Sequence, residues 1–302
     1  RDKLVTGVQT CALPIFRIGH IKALTRRLAD GERWDAVFNI CEGLKGYARE
    51  AQVPALLEAY GIPTLFSDPL TLALTLDKGW TKRIVAAAGV ATPAFAIIEN
   101  AAGIGVVDLP FPLFLKPVSE GSGKGVSERS RVDDAASLRA VALDLLARFH
   151  QPVIVESYLP GREFTVGITG TGEDAKVLGV MEIRPTAKGT QSGYSYENKE
   201  HWEDRVTLHL VDDAEARAAG DVALRAWRAL RCRDGGRVDV RSDGAGRPNF
   251  IEVNPLAGLN PEHSDLCFIA RFKGLSYQDL IGLIMASFLK RHPELARSRA
   301  AA

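Results

Sequence analysis

The stretch Arg237-Val238-Asp239-Val240-Arg241, Ser242-Asp243-Gly244-Ala245-Gly246-Arg247-Pro248, Asn249-Phe250-Ile251-Glu252-Val253-Asn254 decides the fold. Two β-rich runs flank a short segment of Asp, Gly and Pro, the pattern of an antiparallel hairpin. Pairing Asp243 with Pro248 beside the turn sets Asp239 opposite Glu252 and Arg237 opposite Asn254. Alternation then puts those four side chains on one face and Val238, Val240, Ile251 and Val253 on the other, the core face. Opposed residues have Cβ atoms roughly 5 Å apart, where like charges destabilise a sheet. Two carboxylates with an amide oxygen beside them form a hard-oxygen set suited to Mg²⁺. The competing reading is a solvated polar face on which Arg237 and Arg241 neutralise the acids. A one-residue slip would spoil the set, so everything turns on register.

Outward from the hairpin, β-rich runs at 163–168 and 176–183 predict further antiparallel strands, and 214–230 predicts a helix. Runs at 93–98, 111–116 and 152–156, with a helical pattern over 135–149, predict a second, mixed α/β unit. Residues 71–88 have a helical pattern. Nearer the start, helices are expected at 17–30 and 48–60 and strands at 34–40 and 62–66. Strand, helix and strand in that order form one crossover of a parallel sheet. Residues 1–16 have no period and resemble translated adaptor sequence, so they are set aside. The expected division is 1–16 a non-native or disordered segment, 17–77 an incomplete N-terminal α/β unit, 78–158 a central unit, 159–290 a C-terminal unit and 291–302 a frayed tail.

Bulk properties narrow the function. The chain of 302 residues is 46% hydrophobic and 25% charged, which suits two or three globular units rather than disorder. Its 38 basic and 37 acidic side chains leave a net charge of +1, which argues against nucleic acid as the main partner. Any bound anion must be held by a local cluster of lysines. Cys11, Cys41, Cys232 and Cys267 lack both metal-site spacing and disulfide density, as in a reducing compartment. The apolar run 280–289 is too short to span a bilayer and is expected to be a core-facing helix. With no signal-peptide pattern, a cytoplasmic protein without a membrane partner is expected.

Leu115-Lys116-Pro117 ends a strand and leads into Glu120-Gly121-Ser122-Gly123-Lys124-Gly125. Alternate glycines let backbone approach a ligand and turn N–H groups toward phosphate oxygens. The spacing matches neither the phosphate loop of the Walker type nor the dinucleotide fingerprint. Alone, it is also ordinary hairpin chemistry. Lys78 and Lys199 could be plain surface charges, whereas Lys116 closes an apolar strand and precedes a proline. Glu156 and Glu163 flank a short turn between two strands.

In order, Leu76-Asp77-Lys78, Leu115-Lys116-Pro117 with Glu120-Gly121-Ser122, and Glu156 with Glu163-Phe164-Thr165-Val166 resemble successive motifs of D-alanine–D-alanine ligases. So do Tyr196-Glu197-Asn198-Lys199, Gly236-Arg237-Val238-Asp239-Val240 and Glu252-Val253-Asn254. The resemblance runs over about 34–289. It implies a combined α/β and α+β architecture: an ATP-grasp fold, preceded by a partial parallel-sheet domain, with the nucleotide between two sheets. It also implies an ATP-dependent carboxylate–amine ligase acting through an acyl phosphate, with ATP and amino acids as substrates.

By the same resemblance, Lys116 and Lys78 would meet the α- and β-phosphates. Glu120, Gly121 and Ser122 would close over the γ-phosphate, and Lys199 would reach it from a mobile loop. Glu156, Ser157, Tyr158 and Leu159 would hold adenine, and Glu163 the ribose. Asp239, Glu252 and Asn254 would bind two Mg²⁺ ions, or Mn²⁺. Arg237 and the backbone of Gly258 would stabilise charge at the reacting centre, with Lys199 and Ser122 also in the catalytic set. Homodimerisation is the family's habit.

The amino-acid half departs from the pattern. No glycine-rich first strand-turn with its ammonium-binding glutamate is present. Glu42-Gly43 stands where His-Gly is usual, Glu200 stands where an aromatic residue is common, and Asn254-Pro-Leu-Ala-Gly258 replaces a more polar run. Glu42 is then a candidate ammonium ligand, and His263 or Ser264 a candidate carboxylate ligand. Ligation of another amino acid or small acid, and a catalytically silent nucleotide-binding protein, stay open as alternatives.

Overall fold

The protein is described here by a computed structural model covering residues 17–121, 123–187 and 202–297. The N-terminal part holds α1 (Ile21–Ala29), α2 (Gln52–Ala59), α3 (Pro69–Leu76) and α4 (Lys78–Ala87). The first sheet comprises β1 (Phe95–Ile98), β2 (Leu113–Pro117), β3 (Arg131–Val132) and, after α5 (Ala135–Phe149), β4 (Val153–Ser157). Then follow β5 (Glu163–Thr169), β6 (Lys176–Pro185), α6 (Trp202–Arg205), β7 (Val206–Leu210), α7 (Ala214–Ala229), β8 (Gly235–Ser242) and β9 (Pro248–Asn254). The described chain closes with α8 (Asp265–Phe272), α9 (Tyr277–Arg291) and α10 (Pro293–Arg297).

Both sheets are antiparallel: the first in the order β1-β4-β2-β3, the second β7-β6-β5-β8-β9. The second is the predicted sheet around the hairpin. Its inward residues Phe164, Val166, Ile168, Val238, Val240, Phe250 and Val253 pack against α7. On that helix Ala216, Ala219, Ala223 and Ala226 recur at spacings of three and four, so one face of small side chains meets the sheet closely. The first sheet buries Leu113, Leu115, Val153 and Val155 against Leu138, Val141, Ala142 and Leu145 of α5.

Four expectations are corrected. The helix over 71–88 breaks at Asp77, whose extended backbone (φ −91°, ψ 106°) ends α3 while its carboxylate accepts the Trp80 N–H at 2.9 Å, capping α4. The strands at 34–40 and 62–66 reduce to one parallel bridge, Val37 with Thr64. Phe38 and Ile40 stay exposed, so burial on both faces, which parallel strands need, is missing. The helix over 48–60 opens as a three-ten turn, Arg49–Ala51, before α2 begins. The tail carries α10, whose Leu295 packs on the core beside α9.

That core gathers Leu65, Phe66 and Leu72 from the N-terminal part with Leu256, Leu266, Leu280, Ile284 and Phe288. The last three, spaced by four, confirm 280–289 as a core-facing helix segment. Among the described residues, no helix is long and apolar enough to cross a membrane.

Candidate active site

A cleft opens between the two sheets. β2 brings Phe114 and Lys116, two residues apart and so on one face. β4 and the turn after it bring Glu156, Ser157, Tyr158 and Leu159, and the second sheet adds Glu163, Asp239, Arg241, Ile251 and Glu252. Lys78 enters from the first turn of α4, and Glu120, Gly123 and Lys124 from the glycine-rich loop.

In that loop the carbonyls of Gly121 and Gly123 accept the N–H groups of Lys124 and Val126 at 3.1 and 3.0 Å, two successive tight turns. Gly125 has φ +81°, and a Cβ there would lie 2.6 Å from the Pro117 ring. Only glycine lets the loop fold back against the end of β2. Gln151 braces it, donating to the Glu120 carboxylate at 2.8 Å and accepting the Ser119 N–H at 2.7 Å.

Lysines and carboxylates face one another across the cleft. Lys116 Nζ lies 2.9 Å from Glu156 Oε2, and Lys78 Nζ lies 3.5 Å from Glu252 Oε2 while donating to the Glu120 carbonyl at 2.6 Å. Burial alone would raise the Glu156 carboxyl, but the ammonium groups of Lys116 and Lys82 outweigh it and hold it at about 2. Burial likewise opposes charge on Lys116, yet Glu156 and Glu252 keep its pKa above the usual lysine value. Both groups are charged at neutral pH.

The hairpin register is as expected where it matters. Arg237 pairs with Asn254, Val238 with Val253 and Asp239 with Glu252. Past that point a bulge shifts the pairing by one, so Ser242 rather than Asp243 meets Pro248. The shift corrects the core assignment: Phe250 is buried in the core, and Ile251 lines the cleft beside Glu252.

Asp239 Oδ1 accepts from Thr165 Oγ1 at 2.9 Å, and Oδ2 is in contact with the Arg237 guanidinium. Burial disfavours the Arg237 charge, but Asp239, Asp265 and Glu252 hold it firmly protonated. Arg237 Nε also lies 3.5 Å from Asp265 Oδ2 at the start of α8. Arg241, by contrast, pairs with Glu163 at 3.5 Å and stands over the Tyr158 ring. One arginine of the solvated-face reading therefore neutralises a hairpin acid; the other serves a different carboxylate.

The donor set fits a hard divalent cation. Asp239 and Glu252 are directly opposed on neighbouring strands, and the buried Nδ2 of Asn254 has no hydrogen-bond partner. A half-turn of the near-symmetric amide presents its oxygen at that edge. The set holds two carboxylates and an amide; among the described residues no group of three or more His, Cys, Asp and Glu side chains forms a metal cluster.

The remaining candidates fall elsewhere. Gly258 and Ser264 are close, since a Cβ on Gly258 would lie 2.7 Å from the Ser264 hydroxyl, and that hydroxyl accepts the Asn260 N–H at 2.9 Å. His263 and Glu42 are exposed. None of these four lines the cleft, nor do Arg237 and Asn254. Ser122, Lys199, Glu200 and Cys11 lie outside the described residues. Sequence reasoning missed Phe114 and Lys82; alternation from Lys116 and the i,i+4 spacing from Lys78 were the available signals.

Comparison with known proteins bears on this geometry. The family model described as D-ala D-ala ligase C-terminus matches residues 84–286. A D-alanine–D-alanine ligase of Bordetella petrii is 34% identical over 264 residues, covering 86% of this chain and 78% of that one. That of Bordetella pertussis is 37% identical over 244 residues, covering 80% and 74%. Among solved structures, the Bacillus anthracis D-alanine–D-alanine ligase complexed with ATP superposes with a TM-score of 0.70. It covers 92% of this chain and 86% of its own at 24% identity, a likeness of fold alone. The VanG D-Ala:D-Ser ligase of Enterococcus faecalis gives a TM-score of 0.69 at 25% identity, covering 84% and 73%.

Proposed function

The chain belongs to the D-alanine–D-alanine ligase family and is an ATP-dependent ligase forming C–N bonds, and from that premise we propose how its residues serve the reaction. The observation that carries the reading is the cleft itself. Lys78 and Lys116 face Glu252 and Glu156 between two sheets, beside a glycine-rich loop.

The two lysines receive the α- and β-phosphates of ATP. The γ-phosphate is assigned to residues 120–122 and to Lys199. Ser157, Tyr158 and Leu159 hold adenine and Glu163 the ribose; Arg241 beside Glu163 neutralises it and adds a stacked wall over Tyr158. Both Glu156 oxygens already face lysines, so its part is to fix Lys116 rather than to touch the base.

Asp239, Glu252 and Asn254 would hold two Mg²⁺ ions, or Mn²⁺, which would supply charge neutralisation for phosphoryl transfer. The carboxylate of the first substrate attacks the γ-phosphorus, the bond to ADP breaks, and an acyl phosphate forms. The amine of the second substrate attacks the acyl carbon, loses a proton, and inorganic phosphate leaves as the amide forms. Such a reaction needs positioning and charge more than a protein nucleophile. Arg237 and the Gly258 backbone lie nearest the developing charge in this scheme. Glu42, His263 and Ser264 are the substrate-side candidates.

We take residues 78–158 and 159–290 as the two halves that clasp the nucleotide. D-alanine is the proposed substrate, a role in peptidoglycan synthesis follows from the family, and use of ATP favours the cytoplasm. The test is ADP release from MgATP with D-alanine and with a panel of D- and L-amino acids. Release with dipeptide formation on D-alanine supports the reading. Release only with another amino acid keeps the chemistry and replaces the substrate, and no release with any removes both.

A further inference from the structure

Beneath the cleft, Lys82 is fully buried and does not line it. Lys78 and Lys82 sit four residues apart on α4 and so share a face. An ammonium has three N–H groups, and three oxygens surround this one. Thr92 Oγ1 at 2.8 Å and the Phe250 carbonyl at 3.3 Å accept hydrogen bonds, and Glu156 Oε1 at 2.6 Å completes the set as an ion pair. Burying a lysine is unfavourable unless such partners offset the lost hydration. Burial draws its pKa down to about 8, with Glu156 pulling the other way.

The three oxygens come from places that a core packing role alone does not call for. Glu156 is on β4 of the first sheet, and its second oxygen holds Lys116 at 2.9 Å. Phe250 is on β9 of the second sheet, where the bulge turns Ile251 and Glu252 into the cleft. Thr92, in the link after α4, also donates to the Phe250 carbonyl at 2.9 Å, and the Phe250 N–H donates to Ala91 O at 2.8 Å. One ammonium therefore joins both walls of the cleft.

We propose that Lys82 is a positioning residue for the nucleotide: anchored on Thr92 and the Phe250 carbonyl at the opposite wall, it fixes the Lys116 ammonium through Glu156. The proposal rests on the nucleotide reading of the cleft. Lys82 acts without touching ATP, and its effect passes through Glu156.

The test is the Kd for MgATP, by calorimetry on the full chain, of wild type, Lys82→Met, Glu156→Gln and the double variant, with thermal melts as the control of fold. Loss of the buried ion pair that holds Glu156 predicts a roughly tenfold weaker Kd in Lys82→Met. The double variant is expected to bind no more weakly than Glu156→Gln alone, a coupling that a merely structural role would not produce. A folded Lys82→Met with wild-type Kd, or effects that multiply in the double variant, overturns the proposal alone. Wild type that does not bind MgATP overturns the nucleotide reading and the proposal together. Where Lys82→Met does not fold, Thr92→Val, which keeps the ion pair, decides: a roughly threefold weaker Kd supports the role, and an unchanged one overturns it.

Discussion

Asp239 on β8 stands directly across from Glu252 on β9, and each carboxylate is held by its own cation, Arg237 for the first and Lys78 for the second. Like charges so opposed would weaken the pairing, and the two cations offset that repulsion. In the proposed reading the same two carboxylates would take a divalent ion beside the lysines that would meet phosphate.

Glu252→Gln removes one of those charges at nearly constant volume. It should lower ATP-dependent turnover by roughly a hundredfold or more, while the circular dichroism spectrum stays that of wild type. Full turnover with an intact spectrum would exclude Glu252 as a metal ligand.

Glu156→Gln leaves the buried ammonium groups of Lys82 and Lys116 without their shared counter-charge. Breaking a buried ion pair from one side costs about 3 kcal/mol or more. Urea unfolding should show a loss of that order, and a loss under about 0.5 kcal/mol, typical of surface changes, would contradict the account.

Gly125→Ala places a Cβ at a left-handed backbone position and against the Pro117 ring. Strain of about 1–3 kcal/mol should displace the loop from the end of β2. A higher KM for ATP with a smaller change in kcat is expected, and unaltered kinetics would show that the loop does not bear on the nucleotide.

Glu50 supplies the pH prediction. Burial first, with help from Glu42 and against Arg49 and Lys78, raises its pKa from 4.5 to about 7. The folded chain then holds a proton that the unfolded chain releases near pH 4.5, so this group favours folding at low pH and disfavours it as pH rises through 7. Glu50→Gln should therefore raise Tm over wild type at pH 8, with a smaller difference at pH 5. Equal melting at pH 8 would count against a raised pKa at this half-buried carboxyl.

Where local chemistry and packing agree, the sequence was legible. α5 occupies the predicted residues 135–149, and α9 buries Leu280, Ile284 and Phe288 as its spacing requires. The pairing of Asp239 with Glu252 came out as expected although its anchor at the turn, Asp243 with Pro248, is off by one: the bulge after Asp239 offsets that slip. The bulge itself was not legible, since a single extra residue reverses alternation and leaves no mark in composition. The break at Asp77 did leave a mark, an N-cap residue inside a helical run, which periodicity overrode. The spacing from Lys78 put Lys82 on the same helix face, but its burial was illegible, because it depends on partners 10 to 168 residues away.

The central claim is that a substrate carboxylate is activated as an acyl phosphate. The direct measurement uses D-alanine labelled with ¹⁸O in its carboxylate, with MgATP and the purified chain, followed by mass analysis of the phosphate released. The account predicts one labelled oxygen in each phosphate formed with dipeptide, because the carboxylate oxygen that attacks phosphorus leaves with it. Dipeptide formed with unlabelled phosphate would contradict it.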